Sequence, residues 1–211
     1  GSVNELLKNV SIPKMVAIRQ NFDCEKIDDI SATVRDELDR DDVKAKIYPG
    51  MSIAITAGSR GIDNLALVIK ELVSFLKEQG AKPFVIPAMG SHGGSTAEGQ
   101  KDIITEYGVT EEYIGCPVLA TMETKEIGCL DDGRPILINK LAAEADGIIS
   151  LNRIKAHTAF RGRYESGVMK MLTIGLGCQA GAEVCHRQGI LHLGPNVEKF
   201  AFGILENANV I

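Results

Sequence analysis

The sequence predicts an α/β fold: a mostly parallel, Rossmann-like sheet with helices on both faces. Three short apolar runs of strand length, residues 52–56, 84–88 and 147–152, recur along the chain. Between and beside them lie segments whose apolar residues repeat at helical spacing, and alternation of the two is the pattern of a parallel sheet with crossover helices. Each apolar run also ends in a polar loop, and ligands of such sheets bind at the carboxyl ends of the strands.

Taken in order, residues 15–22 (Met-Val-Ala-Ile-Arg-Gln-Asn-Phe) alternate loosely and read as a strand. Residues 27–40 follow as a helix carrying Ile27, Ile30, Val34 and Leu38 on one face. The run 52–56 is a buried strand that enters Ala57-Gly58-Ser59-Arg60-Gly61. Residues 62–79 then place Ile62, Leu65, Ile69, Leu72, Val73 and Leu76 on a helix stopped by Gly80. Residues 84–88 form the next strand, and a loop from Met89 to Thr96 leads into a helix over 97–107, capped by Ser95 or Thr96. Residues 118–123, 126–130 and 135–140 read as shorter strands around a turn at Asp131-Asp132-Gly133, with a short helix over 141–145. The run 147–152 is again a strand that opens into a polar loop.

The 211 residues fit one domain, with no repeat, low-complexity tract or linker dividing 1–211. Hydrophobic residues at 45% and charged ones at 24% are the balance of a chain with a full core. A net charge of -5 argues against nucleic acid as a partner. The apolar stretches 65–69 and 168–176 fall well short of the roughly 20 residues that span a bilayer, which argues against a membrane. No basic region followed by an apolar stretch opens the chain. The five cysteines, Cys24, Cys116, Cys129, Cys178 and Cys185, are odd in number and lack a C-x-x-C pair, so reduced thiols and a cytoplasmic location are expected. Gly1-Ser2 reads as a cloning remnant, and the apolar ending of residues 207–211 suggests one part of a longer protein.

Chemistry concentrates in the loops. Residues 90–96 (Gly-Ser-His-Gly-Gly-Ser-Thr) put three glycines, three hydroxyls and one imidazole before a helix start, where free N–H groups favour an anion. They match neither the Walker A pattern nor the dinucleotide fingerprint, and a tight turn with a surface histidine is the plain alternative. Of four histidines, His92 and His157 follow strands, which makes an acid/base pair credible beside the reading of scattered surface residues. Residues 152–164 carry Arg153, Lys155, Arg161 and Arg163, a local reversal of sign that suits an anionic ligand or else a solvated basic face. Lys170 stands alone in the apolar run 167–177; there it is either a desolvated, nucleophilic amine or a lysine reaching from a helix edge to water.

This constellation resembles the nickel-pincer lactate racemase family over roughly residues 50–190. The resemblance implies that His92, in Met-Gly-Ser-His-Gly, and His157, in the basic loop, are the two catalytic histidines. It implies that Lys170 carries the pyridinium thioamide/thiocarboxylate mononucleotide pincer covalently, and that His186, sixteen residues on, ligates nickel. Arg60 is similar to the arginine that holds the substrate carboxylate. The implied activity is racemisation or epimerisation of a small 2-hydroxy acid: one histidine takes the hydroxyl proton while hydrogen leaves Cα as hydride, which avoids a carbanion beside an unactivated carboxylate. Proteins that mature the cofactor are implied partners, and the chain would be the N-terminal catalytic domain of a longer racemase-like protein whose second domain is absent from these 211 residues.

Two other readings stand beside it. One is a non-catalytic α/β module that binds an anionic metabolite or nucleotide at the loop from Gly90 to Thr96. The other is a nicotinamide-dependent dehydrogenase, against which the missing dinucleotide fingerprint counts.

Overall fold

The structure, a computed structural model, describes residues 2–11, 13–22 and 25–211. After a short helix α1 (Ser2–Leu7), the described residues up to Phe22 take part in no strand pairing. The strand expected over residues 15–22 is therefore absent. Alternation alone does not make a strand, because ladder hydrogen bonds need a neighbour, and here Met15, Val16, Ile18 and Phe22 are all exposed. Of the five cysteines, Cys24 lies outside the described residues, and Cys116, Cys129, Cys178 and Cys185 are free thiols.

Helix α2 (Ile30–Leu38) begins three residues later than expected because the Asp29 carboxylate caps it, accepting from Ala32 N–H at 2.9 Å. The one-turn helix α3 (Asp41–Lys44) leads to strand β1 (Ser52–Ala57). Helix α4 (Leu65–Glu78) closes as expected at Gly80: Ala81 N–H donates to Leu76 C=O and Gly80 N–H to Lys77 C=O. Strand β2 (Lys82–Pro87), helix α5 (Ala97–Glu106) and the short α6 (Glu111–Ile114) follow. Thr96 is the cap of α5, its hydroxyl accepting from Gly99 N–H at 3.0 Å. Residues 118–123 are not a strand; the segment meets the sheet in one isolated bridge, Val118 opposite Val85, closed by Leu119 N–H to the Val85 carbonyl and Val85 N–H to the Pro117 carbonyl. Strands β3 (Thr124–Cys129) and β4 (Pro135–Asn139) form an antiparallel hairpin with an irregularity between Glu126 and Gly128, and α7 (Lys140–Ala143) leads to β5 (Gly147–Ile149).

The parallel sheet has the order β2-β1-β5. One face of β1, Ile53, Ile55 and Ala57, packs on Leu65, Ile69, Leu72 and Leu76 of α4, Ile104 of α5 and Ile114 of α6. The opposite face, Ala54 with Ile86 and Ile148, is covered by β4 and by a final helical array: α8 (Gly167–Lys170), a π-turn (Met171–Gly175), α9 (Cys178–His186) and α10 (Ile190–Asn207). Helices thus lie on both faces of a parallel sheet, the α/β class expected. Both faces of β1 are buried, Ala54 and Thr56 on one side as fully as Ile53 and Ile55 on the other. Among the described residues, no helix is long and apolar enough to cross a membrane.

Candidate functional site

All three parallel strands end on the same side, and the loops that leave them meet the π-turn. Together they line a cleft of about 1110 Å³ that includes Arg60, His92, His157, Lys170 and His186. The five residues singled out in the sequence therefore face one space, though 126 positions separate the first from the last. His192 is on α10, outside that lining.

The β1 loop brings Ser59 and Arg60. Ser59 Oγ and His92 Nδ1 are 2.5 Å apart, and the Ser59 carbonyl accepts from the Tyr107 hydroxyl at 2.8 Å. The β2 loop brings His92. Gln100, buried in α5, donates through Nε2 to Gly90 C=O at 2.8 Å and to His92 C=O at 3.2 Å. Gly93 makes this closeness possible: at φ +63, a Cβ there would fall 2.6 Å from the Gly99 carbonyl carbon.

The β5 loop brings His157, and two side chains clamp its ends. The Glu165 carboxylate accepts from His157 N–H at 2.9 Å and Gly162 N–H at 3.3 Å, while Ser166 Oγ accepts from Lys155 N–H at 2.7 Å. The bond from the His157 N–H is the main reason that the Glu165 carboxyl ionises below its ordinary range. Leu151 N–H donates to Thr56 Oγ1 at 3.0 Å, tying this loop to the end of β1. The His157 ring lies against Phe160, centroids 4.2 Å apart, and Lys170 Nζ stands 6.0 Å from the same ring. Phe160 therefore forms a shared apolar floor under His157 and Lys170.

Lys170 ends α8 and is half-buried. Burial first, then the neighbouring cations Lys155 and Arg60, depress its pKa, which eases loss of the proton that masks the nucleophilic amine. The π-turn that follows is closed by Leu176 N–H to Met171 C=O, and it lies under both loops. Gly90 N–H donates to Gly175 C=O at 3.1 Å. His186 ends α9 with Nδ1 2.6 Å from the Ala182 carbonyl, which can only accept. Its proton therefore sits on Nδ1 and Nε2 carries the free lone pair, the arrangement a metal-ligating histidine needs.

His92 is lowered in pKa by partial burial, then by Arg60 and Lys170; His157 is lowered by burial, then by Lys170 and Lys155, against a smaller opposing effect of Glu165. Arg60, Arg153, Lys155 and Lys170 line the cleft against only Glu165 and Glu183. The basic segment divides: Arg153 and Lys155 face the cleft, whereas Arg161 and Arg163 are on the outside near Glu165 and Glu198. Among the described residues, no three His, Cys, Asp or Glu side chains cluster as a metal cage. A metal at His186 would accordingly draw its other ligands from a non-protein group, and a half-buried amine and a free imidazole nitrogen on one cleft fit a tethered organic ligand that carries one.

Sequence reading passed over Gln100, Tyr107, Phe160, Glu165 and Ser166. Gln100 had one visible signal: it sits four residues before Ile104, on the buried face of α5, where a polar side chain needs a partner.

The fold has a counterpart among solved structures. The lactate racemase apoprotein from Thermoanaerobacterium thermosaccharolyticum superposes with a TM-score of 0.56 at 15% identity, over 86% of this chain and 48% of that one. This chain thus spans about half the length of that relative. No curated protein matches the sequence. The family model described as the lactate racemase N-terminal domain, however, matches residues 7–194, nearly the whole chain and all five cleft residues, and the chain belongs to that family.

Proposed function

We propose that this chain is the cofactor-bearing, N-terminal catalytic part of a racemase or epimerase of small 2-hydroxy acids. The observation that carries the reading is the convergence of Arg60, His92, His157, Lys170 and His186 on one electropositive cleft, with a half-buried amine at Lys170 and the Nε2 lone pair of His186 available to a metal.

Lys170 would hold a nickel-pincer nucleotide covalently and His186 would ligate its nickel. When bound, that group supplies a reversible hydride acceptor, so the Cα–H bond can break without a carbanion. The remaining work falls to side chains. Arg60 fixes the substrate carboxylate as a charge-assisted, bidentate partner. His92 and His157, both lowered in pKa chiefly by burial, are the groups that would exchange the hydroxyl proton. The Phe160 floor keeps water from one side of Lys170. Loading requires maturation proteins as partners, and free thiols at four described cysteines support a reducing, cytoplasmic location.

Expression in cells that synthesise the cofactor tests this. Intact-mass measurement is expected to show an adduct that disappears in Lys170→Ala, while His186→Ala keeps the adduct and loses nickel. An unmodified Lys170 in such cells would discard the isomerase and leave the anion-binding module at the loop from Gly90 to Thr96.

A further inference from the structure

The isomerase reading treats His92 and His157 as equivalent bases, but their Nδ1 atoms have different partners. Ala159 N–H donates to His157 Nδ1 at 3.1 Å. A backbone amide can only donate, so the neutral His157 ring must carry its proton on Nε2. His92 Nδ1 instead faces Ser59 Oγ at 2.5 Å, and a hydroxyl can donate or accept. Arg60 and Lys170, which line the same cleft, bias which of the two roles the Ser59 hydroxyl takes. The negative end of a neutral imidazole is its bare nitrogen. Turning that nitrogen toward the cations, with the N–H on Ser59, is the favoured orientation.

Resting on the isomerase reading and deepening it, we propose that Ser59 is a positioning residue that holds His92 as the Nδ1–H tautomer with Nε2 bare, while the Ala159 amide holds His157 in the opposite tautomer. The pair is then asymmetric at rest. His92 accepts the hydroxyl proton: the substrate O–H bond breaks, its electron pair stays on oxygen, and an N–H bond forms at Nε2. Nδ1–H remains on Ser59 throughout. His157 meets the substrate first as a hydrogen-bond donor. Both halves of the Ser59–His92 contact are anchored from α5 and its C-terminal cap, His92 through Gln100 and Ser59 through Tyr107, so the pairing is built into the fold rather than left to loop motion.

Histidine side-chain nitrogen spectra of the ¹⁵N-labelled chain, recorded near pH 8 where the rings are neutral, test this without cofactor or turnover. His92 is expected to show a protonated Nδ1, to shift toward Nε2–H in Ser59→Ala, and to return to Nδ1–H in Ser59→Thr. His157 should remain Nε2–H in all three, which also reports that the fold is intact. A His92 ring already Nε2–H in the unsubstituted chain, or still fully Nδ1–H in Ser59→Ala, would overturn the assignment. Should the tautomer follow Ser59 while the loaded full-length enzyme fails to racemise hydroxy acids, the isomerase reading falls and the positioning role stands.

Discussion

An imidazole can act as a base only while unprotonated, and partial burial, then the neighbouring cations, lower the pKa of both His92 and His157. The same arrangement has a stability consequence. His92 and His157 titrate below the ordinary value near 6.5 in the folded chain and at about that value when unfolded. As pH falls below 6.5 the unfolded state binds protons first, so stability that is full above that pH declines toward the folded values. The unfolding temperature should therefore drop between pH 7.5 and 5.5, and drop less in a His92→Gln, His157→Gln double variant; equal declines in the two proteins would contradict it. Carboxylates such as Glu165, lowered in pKa, titrate in a separate window below about 4.5. Arg60, His92, His157 and Lys170 could be picked out in the sequence because each stands where a strand ends or an apolar run is interrupted. Ser59 as a partner of His92 could not, since the contact joins positions 33 apart and exists only once two loops meet.

At the level of elements, the site depends on how the β2 loop is pinned. Gln100 is 2% exposed and supplies both side-chain donors to the carbonyls of Gly90 and His92. Gln100→Leu preserves most of the volume and removes both bonds; the His92 carbonyl keeps Ser95 N–H, but the buried Gly90 carbonyl loses its partner at a cost of about 1–3 kcal/mol. For a chain of this size that lowers the unfolding temperature by roughly 2–4 °C per kcal/mol. Calorimetry reads the change directly, and a shift below about 1 °C would show that the loop holds itself without Gln100. Strands β1 and β2 were legible because burial on both faces favours a short, mostly apolar run. The segment 15–22 shows the limit of that logic: its residues suit a strand, but without a neighbouring strand its backbone has nothing to pair with. The π-turn after Lys170 was illegible for another reason. Its widened helix is a response to close packing against the β1 and β2 loops, where a Cβ on Gly175 would lie 2.7 Å from the Ala88 carbonyl oxygen.

Across the whole molecule the decisive contrast is one of sign. The chain carries a net charge of -5, yet the cleft at the strand ends presents Arg60, Arg153, Lys155 and Lys170 against two carboxylates. These cations repel one another, and an anion placed among them relieves that repulsion, so binding should be visible as stabilisation even before any cofactor is attached. Inorganic phosphate at about one hundred times its dissociation constant would contribute about 2.7 kcal/mol, or roughly 5–10 °C in the unfolding temperature. Arg60→Gln with Lys155→Gln should remove most of this gain while raising the stability of the anion-free chain, because fewer like charges then face each other. Sodium chloride separates the specific effect from general screening: at 0.15 M the Debye length is about 8 Å, which weakens attraction from afar while leaving direct contacts in the cleft largely in place. A phosphate-dependent rise that survives 0.15 M salt in the unsubstituted chain and is lost in the double variant locates the anion in this cleft. A rise that is identical in both proteins would place it elsewhere and remove the electrostatic basis for reading the cleft as a carboxylate site.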